Sequence, residues 1–120
     1  MRPGPPFLLG LMAILSSSCG WSSADEQVIT KFFQQSRLYD TTRMANFARV
    51  VFDPRVEGVV DRFRITSRSD EELDGNRVRR RATLDTHVRT VGGEYERTLV
   101  VTLDRDETGR WMITGYRWSS

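Results

Sequence analysis

Apolar residues recur along this chain in two periods, and the change from one to the other divides it. Between Val28 and Val51 they come at helical spacing; from Val59 onward they alternate with polar residues. Ser23-Ala-Asp-Glu26 fits a capping box, a serine at the N-cap with a glutamate three residues on. The helix it opens places Val28, Ile29, Phe32 and Phe33 on one stripe and should end near Tyr39. Asp40 or Thr41 then caps a second helix, with Met44, Phe47, Ala48 and Val51 at i, i+3, i+4 and i+7. Asp53-Pro54 stops it, because the residue before a proline is pushed out of the α region.

The alternating part supplies a surface for those helices. In Gly58 to Ser67, Val59, Asp61, Phe63 and Ile65 share the inward face, and Val60, Arg62, Arg64 and Thr66 the other. Asp70 to Asn76 reads as a turn, with residues at 74–76 that tolerate positive φ. Arg77 to Thr90 is the longest strand. Val78, Ala82, Leu84, Thr86 and Val88 face one way; Arg77, Arg79, Arg81, Thr83, Asp85, His87 and Arg89 face the other. Arg80 interrupts the apolar side. Gly92-Gly93 turns the chain into a last hairpin, in which Leu99, Val101 and Leu103 share a face. After Gly109, Trp111 and Ile113 take one face and Met112, Thr114 and Tyr116 the other; the first pair is expected against Phe32, Phe33 or Phe47. Two helices followed by about four antiparallel strands argue an α+β fold, both helices on one face of a meander.

The first residues belong to neither pattern. Arg2 precedes an apolar run from Phe7 to Leu15, too short to span a bilayer as a helix and shaped like a signal-peptide core. Residues 1–18 are therefore expected to be a signal peptide. The stretch Leu15-Ser-Ser-Ser-Cys19 resembles the lipobox of bacterial lipoproteins, which implies a diacylglycerol on the Cys19 thiol; an ordinary secretory signal with an incidental cysteine is the alternative. Residues 19–24 become a lipidated tether in which Trp21 either sits among headgroups or docks on the domain, and 25–120 a single domain. Gly20 follows the cysteine, with no aspartate retention signal there. In a cell with two membranes this implies the outer membrane, facing the periplasm. Cys19 is the only cysteine, so no internal disulfide supports the fold.

Charge narrows the function classes. Arg2 leaves with the signal, so seventeen basic residues stand against sixteen acidic ones, a net charge of +1. Nucleic-acid binders carry a large positive excess, so nucleic acid is not expected as a partner.

The helical N-terminal third, followed by long antiparallel strands that close on Gly109-Arg-Trp-Met-Ile-Thr-Gly-Tyr-Arg117, resembles the nuclear-transport-factor-2-like superfamily. Its closing strand often reads Gly-x-Trp-x-Ile-x-Gly, as residues 109–115 do. The resemblance covers residues 25–118. It implies a curved sheet wrapped around the helices into a cone with a pocket at its open end. The superfamily includes ketosteroid isomerases and polyketide cyclases, and in the isomerases a carboxylate base works beside tyrosine donors.

Few residues here can carry chemistry. His87 is the only histidine and lies on a polar face beside Asp85 and Arg89, so neither a metal cluster nor a histidine-based triad can be assembled and no cofactor is expected. Asp61 is the one acidic residue at an inward position. Either it is a general base raised by an apolar pocket, with Tyr39, Tyr95 or Tyr116 as donors, or it pairs with Arg80. Arg62, Arg64 and Arg68 lie beside Arg77, Arg79 and Arg81 if residues 70–76 form a hairpin turn. Arg62, Arg64, Arg77, Arg79 and Arg81 then form either an anion- or partner-binding surface or a solvated face balanced by Asp70, Glu71, Glu72 and Glu96. The reading that results is a membrane-anchored envelope lipoprotein whose domain is a non-catalytic ligand-binding or assembly module. Its partners would be an envelope protein or a small apolar ligand. A small lyase or isomerase using Asp61, and a structural homodimer formed through the sheet, are the alternatives.

Overall fold

A computed structural model describes residues 23–119, so the expected signal, Cys19 and most of the tether lie outside the described residues. Among the described residues three helical segments precede four strands: α1 (Ala24–Arg37), α2 (Thr41–Met44), α3 (Pro54–Glu57), β1 (Val59–Glu72), β2 (Val78–Thr90), β3 (Gly93–Arg105) and β4 (Trp111–Trp118). The strands form one open antiparallel sheet in the order β1-β2-β3-β4. The α+β class and the antiparallel meander are as expected.

Helix α1 keeps its expected face. Ile29, Phe32 and Phe33 are buried in a core shared with Leu84, Val88, Leu99, Val101, Leu103, Trp111 and Ile113, and Val28 packs at its border. The capping box does not form. Ser23 Oγ donates to the Asp25 carboxylate and makes no cap bond to the helix backbone. The helix closes through Tyr39 N–H to Ser36 C=O and Asp40 N–H to Gln35 C=O, with Tyr39 in the left-handed region at φ 57°.

The second helix is the main departure. It stops at Met44, and the chain then runs alongside β4, with Ala48 bridged in parallel to Ile113. Ile113 N–H donates to Phe47 C=O and Arg49 N–H to Ile113 C=O, both at 2.8 Å. Strand β4 ends the sheet, so its outer edge offers unpaired backbone groups, and residues 47–49 satisfy some of them better than a helix could. Asp53-Pro54 opens a helix where it was expected to end one. The Asp53 carboxylate accepts from Arg55 N–H at 2.9 Å, with proline in the first turn of α3. Gly58 follows at φ 94°, where a Cβ would come within 2.6 Å of the Val88 side chain.

Three bulges reset the faces of the strands. The register leaves one extra residue at Asp61 and at Thr66 in β1, and one at Thr114 in β4. Each bulge shifts by one residue the alternation that follows it. Val60, ahead of the Asp61 bulge, is buried where Val59 was expected, while Phe63 and Ile65, beyond it, pack on the core as expected. Arg68, opposite buried Ala82, turns inward, and Tyr116 and Trp118 join the face of Trp111 and Ile113. Strand β1 also runs past Ser67 to Glu72. Asp70 and Glu71 bond to Arg80 and Arg81 across the ladder, and opposite charges there support pairing.

Candidate functional site

The sheet has an inner face under α1 and an outer face, and charged groups gather on both. On the outer face the centre is His87. Its Nδ1 lies 2.7 Å from Asp61 Oδ1, and its Nε2 lies 2.9 Å from Glu94 and 3.9 Å from Glu96. A carboxylate only accepts, so whichever ring nitrogen carries a proton donates to the carboxylate facing it. Arg89 Nε donates to the other Asp61 oxygen at 2.9 Å. His87 was expected to be solvated beside Asp85 and Arg89; its side chain is only 13% exposed and its partners are Asp61 and Glu94.

Asp61 accordingly departs from both readings made of it. Its position in a bulge places its carboxylate with His87 and Arg89, residues of the outer face, and Arg80 is elsewhere. Burial alone would raise its pKa, but the bonds from His87 and Arg89 outweigh that and hold the carboxyl below its ordinary value. A base needs the opposite shift. The tyrosines do not converge on it. Tyr116 donates to Glu57 at 2.8 Å, Tyr95 to Gly92 C=O at 3.2 Å, and the Tyr39 ring stacks under Arg55. Burial and the Glu57 bond push the Tyr116 hydroxyl up to about 12, so it stays protonated at neutral pH. Glu57 also accepts from Trp118 Nε1 at 2.9 Å, which ties α3 to the end of β4. Asp61 lines a cleft of about 250 Å³ with Thr30, Phe33 and Arg37, below the size of ordinary ligand pockets. Asp61→Asn should lower stability by about 1 kcal/mol, modest because the carboxylate is 27% exposed. A rise in the thermal midpoint would instead mark a carboxylate strained for catalysis.

The outer arginines are mostly matched. Arg64 pairs with Asp85 at 3.0 Å, Arg79 with Asp104 at 2.8 Å and Arg81 with Glu71 at 3.2 Å. Arg77 Nε donates to Asp74 C=O. Arg62 alone among the five makes no side-chain hydrogen bond or ion pair among the described residues. It borders a shallow groove of about 200 Å³ with Phe63, Arg64, Asp85, His87 and Glu96.

The inner face holds a cluster that sequence reasoning missed. Asp25 is fully buried and accepts from Arg68 Nε at 2.7 Å and Arg80 Nη1 at 3.0 Å, while Arg80 also grips Asp70 at 2.7 Å. The Arg80 guanidinium lies 4.8 Å from the centre of the Trp111 ring. This cluster clamps the start of α1 to β1 and β2. The interruption at Arg80 was its one sequence signal.

Beside these charges, the inner face is packed with rings. Phe52 contacts Phe32, Phe33, Tyr116 and Trp118 with centroids 4.9–6.1 Å apart, and Phe63 joins through Phe33. No metal-binding group of three or more His, Cys, Asp or Glu occurs among the described residues, and no helix among them is long and apolar enough to cross a membrane. Comparison with protein-family profiles, characterised proteins and solved structures finds no match.

Proposed function

We propose that this chain is an exported lipoprotein, anchored through Cys19 and facing the periplasm from the outer membrane where the cell has two. Its domain acts as a non-catalytic binding or assembly module. The observation that carries this reading is the ring cluster around Phe52. In the nuclear-transport-factor-2-like arrangement that the chain resembles, the space between helix and sheet is where a ligand enters. Here side chains of the domain itself fill much of it. Chemistry at Asp61 is disfavoured by its two cationic partners, and the outer sheet face, with Arg62 uncommitted at a groove, is left for a partner.

Fractionation tests the anchor. Cys19→Ala should move the chain from the membrane fraction to a soluble or unprocessed form, since the lipid supplies the only strong membrane affinity in this reading. Unchanged partitioning of that variant would sink it. Detergent extraction of the parent should bring down an envelope protein bound to the domain. A substrate turned over by the parent and not by Asp61→Asn would transfer the assignment to the isomerase or lyase reading.

A further inference from the structure

A groove opens beside the first two turns of α1. Ala24, Val28, Lys31, Phe47, Arg110 and Trp111 line it, around about 220 Å³. Its floor is apolar: Trp111 is buried and Val28 packs at the border of the core. Its rim is cationic. Lys31 Nζ stands 5.7 Å from the Phe47 ring centre, and Arg110 donates to Asn46 C=O at 3.0 Å. Neither cation is in an ion pair among the described residues.

We propose that the occupant of this groove is the side chain of Trp21. Ala24 lines the groove, and Trp21 stands three residues before it, so even a straight chain keeps the tryptophan within about 10 Å of that wall. Trp21 is the only large apolar residue between Cys19 and α1; its neighbours are Gly20, Ser22 and Ser23. An indole suits both parts of the site. Its apolar body covers Val28, Phe47 and Trp111, and its π-face meets the cations of Lys31 and Arg110. An apolar residue ahead of a helix that packs back on the first turns also fixes how the chain enters. On the lipoprotein reading this has a mechanical consequence. Only Gly20 separates the lipidated cysteine from a seated Trp21, so the start of α1 is held at the membrane surface by a short, clamped mount.

The test uses the full-length chain in detergent and in vesicles of brominated phosphatidylcholine. Trp21→Ala should lower the melting temperature by roughly 5 °C. On a Phe47→Ala background the same change should lower it by much less, because the groove has already lost a wall. If Phe47→Ala does not fold, Val28→Ser takes its place. Fluorescence of the parent minus that of Trp21→Phe isolates the Trp21 emission, which should be blue-shifted and unquenched by brominated lipid. Additive melting shifts, or a solvent-like emission, would overturn the proposal. Strong bromine quenching would place Trp21 among headgroups and overturn it too. The melting cycle and the emission in detergent do not require that Cys19 carry lipid, so a failed anchor assignment shows separately, in the Cys19→Ala fractionation.

Discussion

Phe52→Ala should leave the domain close to unfolding at room temperature. The ring is fully buried and touches four other aromatic rings, and its own carbonyl accepts from Ser36 Oγ at 2.6 Å. Truncating a phenylalanine so enclosed costs about 3–5 kcal/mol, since neighbours held by helix, loop and sheet collapse only partly into the space. A domain of this length has roughly 5–10 kcal/mol to lose. The neighbouring Val51 gives the control. It is 53% exposed, so Val51→Ala should change stability by no more than about 0.5 kcal/mol. Urea unfolding followed by tryptophan fluorescence measures both. Equal effects at 51 and 52 would show that this segment is a continuous helix with Val51 inward.

That pair of residues also shows what the sequence could and could not convey. Met44, Phe47, Ala48 and Val51 satisfy helical spacing, yet Met44, Ala48 and Phe52 are the buried ones. Periodicity in a short window cannot register that the backbone of residues 47–49 is needed by the edge of β4, because that demand comes from residues more than sixty positions away. Where neighbouring strands impose no such competition, pattern and structure agree. The inward set of β2, Ala82, Leu84, Thr86 and Val88, is buried as the two-residue period requires. In β1 and β4 the same reading failed at single positions. A bulge inserts one residue without any mark in composition, so Tyr116 came out on the wrong face, and so did Asp61.

The candidate site suffered from the same blindness. By alternation Asp61 is a carboxylate among inward residues, and the bulge that moves it outward also gives it His87 and Arg89. The row of like charges on β1 and β2 resembles a binding surface in sequence because the carboxylates that answer it, Asp85 for Arg64 and Asp104 for Arg79, each lie on the neighbouring strand. What was legible was the exception inside a regular strand. Arg80 stood on an apolar face, and a cation there needs a buried partner. Sequence alone could not choose between Asp61, Asp70 and Asp25, because the choice is settled by where α1 begins against the sheet.

Removing the partner that Arg80 shares with Arg68 should have the second large effect. Asp25→Asn keeps an acceptor for Glu26 N–H, which Asp25 bonds at 2.8 Å, but takes away the charge that faces two guanidinium groups. Breaking a buried pair costs about 3–5 kcal/mol when the survivor is stranded. Here Arg80 keeps Asp70, and the Arg68 side chain is 36% exposed and keeps water, so about 2–4 kcal/mol is expected. The pH dependence separates this charge from ordinary packing. Burial by itself raises the Asp25 carboxyl, but hydrogen bonds from Arg68, Ser23 and Arg80 outweigh it and hold it well below the carboxylate range. A group with a depressed folded value contributes its full stability above its unfolded value, near 4, and loses it as the pH falls toward the folded one. The parent should therefore lose melting temperature on acidification below about pH 5, and Asp25→Asn should lose less, so that the two curves converge in acid. Asp61, Asp70 and Asp104 are shifted in the same direction and keep some acid sensitivity in the variant; the difference between the curves isolates Asp25. Parallel curves from pH 7 to pH 2 would mean that the carboxylate holds α1 through shape alone, and that the Arg68 and Arg80 charges are satisfied without it.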